Sequence, residues 1–192
     1  LSGALLANGA NRTIDNTASG YTGTRDITCN NGTLSQSGGS CEAQPTNEWT
    51  QVAHMASGHP AADMAAASLS DGRVLFCGGV NEGGGRTNRC DIYNPATNTF
   101  TQVANLPQSK YGAFAAPLAD GRVLICGGSA SSVTNRCDIY NLATNSFTQV
   151  ANLPQTKVWP AAAPLADGRV LICGGYTGSA TNRCDIYNPT SN

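Results

Sequence analysis

The ten residues "ADGRVLICGG" stand at positions 119–128 and recur without change at 166–175, and a close copy, "SDGRVLFCGG", stands at 70–79. Each copy is followed by "NRCDIYN", whose cysteine recurs every 47 residues. A period of this length suits a four-stranded propeller blade or a pair of helices. Frequent Gly residues and Asn-Pro pairs, together with short β-rich apolar runs, favour strands.

Every copy divides into four short strands. In the second copy they are "GAFAAPLA" at 112–119, "RVLICGG" at 122–128, "RCDIYN" at 136–141 and "FTQVANLP" at 147–154. The Asp-Gly pair between the first two strands accepts the positive φ angles of a tight hairpin. Proline recurs in the first strand and is tolerated at a sheet edge, so we expect that strand to be innermost, facing a central channel.

The two cysteines of each copy lie on its second and third strands. When these strands form an antiparallel hairpin, one register places every cysteine opposite a cysteine and every leucine opposite an isoleucine. Directly opposed Cβ atoms come within disulfide reach. Three cross-strand disulfides are therefore predicted: Cys77–Cys90, Cys126–Cys137 and Cys173–Cys184. This pairing and the lack of any CxxC spacing argue against a metal site at the thiols.

Three features of each copy resemble the Kelch repeat: two glycines after the second strand, a tyrosine before the next turn, and an aromatic residue that opens the fourth strand. They are Gly78-Gly79, Gly127-Gly128 and Gly174-Gly175; Tyr93, Tyr140 and Tyr187; and Trp49, Phe100 and Phe147. The resemblance covers residues 48–192 and implies an all-β, Kelch-type β-propeller segment of three four-stranded blades. The family usually binds proteins or sugars, and some members are enzymes. Two features depart from it: two of the three aromatics are Phe rather than Trp, and propellers usually close with about four to eight blades.

The repeats are out of phase with complete blades. A lone fourth strand precedes the first copy, and the last copy stops after its third strand, so the terminal blade is incomplete. This spare strand consists of Glu48, Trp49, Thr50, Gln51 and Val52. Two interpretations stay open. Copies assemble by donating this strand, as a six-bladed ring of two chains or as a filament, or the chain is a fragment with further blades downstream.

Residues 1–47 lack the repeat and are predicted to be a separate extension, with the blades at 48–192. Within the extension, residues 24–41 resemble a short cysteine motif of bacterial surface proteins and are distantly similar to sushi-type modules. A disulfide Cys29–Cys41 would close a small loop around an Asn-Gly turn. It would staple a segment that has few large apolar residues.

Composition limits the classes of partner and the compartment. Charged residues make up 12% of the chain and its net charge is −1, so no basic face exists to bind nucleic acid. The eight cysteines favour an oxidising setting, outside the cell or at its surface, and no apolar run reaches the length of a membrane span. Asn11 and Asn31 each begin a sequon, either a glycosylation site or a chance match in a chain rich in Asn and Thr.

Few residues are candidates for binding or chemistry. Tyr111 and Trp159 open the first strands of two copies, near one mouth of the predicted channel. They would either stack on a sugar or, as we favour, plug the channel entrance or pack between blades. His54, His59 and Asp63 lie together in one loop. Because a metal site needs ligands that converge from a rigid element, we expect these three to be ordinary loop residues. The Arg-x-Asp of each third strand is identical in all copies. We expect it to bridge blades or fix a turn, because a catalytic site needs unlike groups in different roles.

The sequence thus predicts an extracellular structural or adhesive Kelch-repeat protein, bacterial in origin, that self-assembles and has no catalytic residues, metal or cofactor. Its partners would be further copies of itself, a glycan or a surface protein. Two alternatives stay open: a carbohydrate-binding propeller module that uses Tyr111 and Trp159, and a fragment of a secreted Kelch-type oxidase. The copper oxidases of this type need two His and a Tyr–Cys cross-link, whereas here each cysteine has a cysteine partner.

Overall fold

The computed structural model describes residues 49–55 and 60–191, and the backbone of three strands nearer the N-terminus. The chain divides into two compact units, Leu1–Gln51 and Val52–Asn192. The described strands of the first unit form an antiparallel sheet: β1 (Asn11–Asp15), β2 (Thr24–Asn30) and β3 (Thr33–Leu34).

The second unit contains one antiparallel sheet per repeat, so the all-β prediction is confirmed. Its strands are β4 (Pro60–Ala62), β5 (Ala65–Ser68), β6 (Val74–Cys77), β7 (Val80–Asn81), β8 (Cys90–Asn94), β9 (Thr99–Gln102), β10 (Tyr111–Pro117), β11 (Val123–Ser129), β12 (Cys137–Asn141), β13 (Ser146–Val150), β14 (Ala161–Pro164), β15 (Val170–Cys173) and β16 (Cys184–Tyr187). Blade 1 is the sheet β5-β6-β8-β9, blade 2 is β10-β11-β12-β13, and blade 3 is β14-β15-β16; β4 pairs with β7.

The Asp-Gly turns join the first and second strands of each blade. In blade 1 the Leu69 amide donates to the Arg73 carbonyl (2.8 Å), and Gly72 has a φ of +84°. The matching glycines of blades 2 and 3 have φ angles of +84° and +85°. We expected a positive φ at both turn residues, but only the glycine has one. Asp71 instead accepts a hydrogen bond from the Arg73 amide (3.1 Å), which fixes the turn through its side chain.

Blade 2 is buried on both faces. In β11, Val123 and Ile125 belong to a core shared with blade 1, and Leu124 and Cys126 belong to a core shared with blade 3. Successive residues of a strand point to opposite faces of its sheet. A strand that lies between two blades therefore needs an apolar residue at every position, which explains the uninterrupted "VLIC".

Blade 3 packs on blade 2 through one face. Val170 and Ile172 are buried there, while Leu171 and Cys173, which alternate with them along β15, are partly exposed. Among the described residues no fourth strand pairs with β16. Within this part of the chain, β16 is therefore the edge strand of blade 3, as the phase of the repeats predicted.

Candidate functional site

Each blade carries one disulfide between its second and third strands. The bonds are Cys77–Cys90, Cys126–Cys137 and Cys173–Cys184, with Cα atoms 4.1–4.2 Å apart. In all three hairpins cysteine stands opposite cysteine and leucine opposite isoleucine. The predicted pairing is confirmed, and each covalent link fixes the register of its hairpin.

Several predicted sites fall near the N-terminus. Cys29 lies in β2 and Asn11 begins β1. Cys41, Asn31 and Glu48 lie outside the described residues. The Cys29–Cys41 disulfide and both sequons stay predictions.

A buried lysine ties blade 2 to blade 3. Lys157 follows the last strand of blade 2, and its carbonyl accepts a hydrogen bond from the Gly128 amide (2.7 Å). Its Nζ lies 3.1 Å from Asp185 Oδ2 in blade 3. Arg183 pairs with the same carboxylate at 2.7 Å. The hydrogen bond from Arg183 is the main cause that holds the pKa of Asp185 below its usual range.

Lys110 repeats this arrangement between blades 1 and 2. Its carbonyl accepts from the Gly79 amide (2.7 Å), and its Nζ lies 3.7 Å from Asp138 Oδ2. Burial lowers the pKa of Lys110, and Arg136 forms the nearer ion pair with Asp138, at 2.6 Å. In blades 2 and 3 the Arg-x-Asp therefore joins the preceding blade, with a lysine as the second cation.

An asparagine clamps the segment that leaves the fourth strand. In blade 2 the Leu153 amide donates to the Asn135 carbonyl (2.9 Å), and Asn135 Nδ2 donates to the Leu153 carbonyl (3.0 Å). The leucine side chain then covers Gly127, where an added Cβ would lie 3.5 Å from Leu153 Cδ1 and 2.5 Å from the carbonyl of the bridging lysine. Blade 1 contains the same pair, Asn88 and Leu106.

Blade 3 contains the equivalents of Asn135 and Gly127, namely Asn182 and Gly174, but no segment covers them among the described residues. Ile186 in β16 is 51% exposed, whereas its counterpart in blade 2, Ile139, is 3% exposed. Asn182 is exposed as well, and an added Cβ at Gly174 would meet nothing nearer than 3.6 Å. We call β16, Asn182 and Gly174 the open edge. The groove beside it is lined in part by Leu153, Pro154, Ile172 and Ile186.

The segment after the spare strand contacts blade 1 as the matching segment of blade 1 contacts blade 2. The Ala53 amide donates to Asn98 Oδ1 (2.8 Å), and the Ala104 amide donates to Asn145 Oδ1 (2.9 Å). Ala53 therefore contacts blade 1 in the way that Ala104, just after the outer strand of blade 1, contacts blade 2. The described residues of the predicted spare strand, 49–52, form no strand in the single chain and are all exposed.

Trp159 and Tyr111 lie side by side at the starts of their first strands. Their ring centres are 5.9 Å apart with planes tilted by 53°, and Trp159 remains 54% exposed. Trp159 has a φ of +54°, and its amide donates to the Gly112 carbonyl (2.7 Å). Its indole lies over Gly112, where an added Cβ would come within 2.7 Å of Nε1. The Arg86 guanidinium lies 5.6 Å from the Tyr111 ring centre, a cation–π contact.

The remaining candidates do not converge. His54 and Asp63 are exposed, and His59 lies outside the described residues. Within the described ranges no three His, Cys, Asp or Glu side chains are placed to hold a metal ion. The same ranges contain no helix long and apolar enough to cross a membrane.

The clamp asparagines and the bridging lysines were not predicted from the sequence. The signal was present, because an asparagine precedes every Arg-Cys and the two lysines stand 47 residues apart. Neither residue type is expected in a core. Their roles follow from contacts between strands and between blades, which repetition alone does not specify.

The hairpins, double glycines and stacked sheets define a β-propeller type of repeat protein. The Kelch motif model matches residues 63–107 and 111–154, which contain blades 1 and 2. Blades 1 and 2 are Kelch repeats, as their glycines, tyrosines and aromatics predicted. No curated protein matches it.

Proposed function

We propose that this chain is an extracellular structural or adhesive protein that assembles with copies of itself. Kelch repeats are scaffolds for protein–protein interaction, and the three disulfides suit an oxidising, extracellular setting. The spare strand of one copy adds to β16 of another and completes blade 3. The observation that carries the proposal is the exposed Ile186 of blade 3 in a chain that also contains a sequence matching the outer strands of blades 1 and 2.

The two faces that would meet are both apolar and partly exposed. On blade 3 the outward face presents Leu171 and Ile186. On blade 1 the face turned away from blade 2 presents Val74 and Phe76, at the positions that Val123 and Ile125 hold in blade 2. Fully burying one such side chain is worth about 1.5–3 kcal/mol. Because the two faces differ, the contact is heterologous and produces either a closed ring or a filament.

The test compares two lysine substitutions. Ile186→Lys places a charge on the open edge, and Ser131→Lys places the same charge on an exposed loop of blade 2. Light scattering and electron microscopy of the non-reduced proteins should show a discrete dimer or filaments for the native chain and for Ser131→Lys, and monomers for Ile186→Lys. Monomeric native protein at every concentration contradicts the proposal.

A carbohydrate-binding module is the second candidate, and the exposure of Trp159 favours it. An indole held beside Tyr111 in a left-handed backbone conformation offers a fixed apolar surface to the C–H face of a sugar. If this candidate is right, a glycan should raise the melting temperature of the native protein, and Trp159→Ala should abolish that rise. No glycan-dependent rise across a glycan panel contradicts it.

A further inference from the structure

We infer that the open edge of blade 3 takes residues 49–55 of a second copy in one register, with Asn182 clamping the backbone of Met55. This inference rests on the proposed assembly and adds the residues that give it specificity. It makes Asn182 and Gly174 parts of a binding site for a segment of this same chain.

The register follows from the two complete blades. In blade 1 Ile92 pairs with Thr101, and in blade 2 Ile139 pairs with Thr148. The outer strands there read "FTQVA", and the spare strand continued by one residue reads "WTQVA". The same spacing places Thr50 of one copy opposite Ile186 of the other.

The aromatic residues fit this register. Tyr93 contacts Phe100 with ring centres 4.9 Å apart, and the equivalent pair in blade 2 is 5.1 Å apart. The register places Trp49 opposite Tyr187. Trp49 is fully exposed in the single chain, so docking gives its ring the contact that the other two blades already have.

The clamp extends the site beyond the strand. Met55 stands six residues after Trp49, as Leu106 and Leu153 stand six after their aromatics. Asn182 is placed to bond the Met55 amide and carbonyl as Asn135 bonds those of Leu153. The methionine side chain then covers Gly174, whose surroundings are open. Methionine suits this place because its unbranched side chain adapts to irregular gaps.

The partner's blade 1 would then meet blade 3 as one blade meets the next within the chain. Ala53 holds to Asn98 of its own blade 1 while Met55 reaches the neighbouring copy. Blade 1 shows that one segment can do both, because Ala104 bonds Asn145 of blade 2 while Leu106 is clamped by Asn88 of blade 1. The contact of Ala53 with blade 1 and the match between the outer-strand sequences favour a second copy of this chain as the occupant of the open edge.

Mixed cysteine variants test the register. Full-length Thr50→Cys protein is mixed with full-length Ile186→Cys protein and oxidised, so that the new thiols can join only different chains. Opposed Cβ atoms lie within disulfide reach, and we expect most chains to cross-link on a non-reducing gel. The matched control, Thr50→Cys mixed with Asn188→Cys, is two residues out of register and should give less than about a tenth of that product. A photoreactive phenylalanine analogue at Trp49, which adds no thiol, should cross-link to the peptide containing Tyr187.

A pair of asparagine variants tests the clamp. Asn182→Ala should weaken self-association about tenfold, because the side-chain hydrogen bond from Asn182 Nδ2 to the Met55 carbonyl is lost, and should leave the melting temperature of the monomer unchanged. Asn135→Ala should lower that melting temperature and leave the association unchanged.

The outcomes separate the two ideas. Assembly without the Thr50–Ile186 and Trp49–Tyr187 cross-links overturns the register while the proposed function stands. Equal association of Asn182→Ala and native protein overturns the clamp. Absence of any assembly overturns the proposed function and this inference with it.

Discussion

Blades 2 and 3 share the sequences "ADGRVLICGG" and "NRCDIYN", yet their burial differs. Cys137 and Ile139 are almost fully buried in blade 2, whereas the equivalent residues of blade 3, Cys184 and Ile186, are exposed. Identical local sequence makes the same hairpin, turn and disulfide in both. The neighbouring strand and the neighbouring blade decide whether that hairpin is core or surface.

The largest expected difference in stability between blades 2 and 3 concerns substitutions in their second strands. Leu124→Ala in blade 2 should lower the free energy of unfolding by about 3 kcal/mol, because it leaves a cavity between two packed blades. Leu171→Ala at the same position of blade 3 should cost about 1 kcal/mol, because that side chain is already partly exposed. Urea unfolding of dilute monomer measures both, and equal losses would contradict the contrast between the blades.

A smaller difference is expected at the first glycine of each pair. Gly127 and Gly174 both have a positive φ, +70° and +69°, so alanine at either position costs about 1–2 kcal/mol in backbone strain. Gly127→Ala also forces Cβ against the Lys157 carbonyl and should lower the melting temperature further. Gly174→Ala should be the milder change in the monomer. A thermal scan of the two variants compares them, and a larger drop for Gly174→Ala would overturn the difference.

The smallest effect concerns pH. Arg183 and Lys157 hold the pKa of Asp185 below its usual value of 3.8. Because the folded pKa is lower than the unfolded one, the carboxylate stabilises the fold above about pH 4 and loses that contribution as the pH falls through the folded pKa. Asp185→Asn should therefore be less stable at pH 7 and show a shallower loss between pH 4 and pH 2. Denaturant unfolding across this range checks the sign, and an unchanged acid slope contradicts it.

The repeat sequence predicted the hairpins because their determinants are local. Cysteine opposite cysteine in three copies leaves one register, and the structure has that register. The Asp-Gly turns were placed correctly, but the aspartate acts through its side chain, which spacing does not reveal. The buried Lys110 and Lys157 could not be predicted, because a lysine is stable inside only where a second blade brings a carboxylate.

Part of the candidate site follows from the sequence. The phase of the repeats predicts a spare strand at residues 48–52 and a last blade that ends in "NRCDIYN", but residues 49–52 form no strand in the single chain. Asn182 begins that same motif, but nothing in the sequence marked it as a binding residue. Its role depends on the path of the segment that follows a fourth strand. In blades 1 and 2 that segment returns to an asparagine 18 residues earlier in the chain.

Hydrogen–deuterium exchange of β12 and β16 at two protein concentrations tests the central claim most directly, since it reads the open edge itself. The outward amides of β12 should exchange slowly in dilute and in concentrated protein, because β13 covers them. Those of β16 should exchange quickly in dilute protein and become protected as the concentration rises and a second copy adds its strand. Exchange in β16 that does not change with concentration would contradict strand donation between copies.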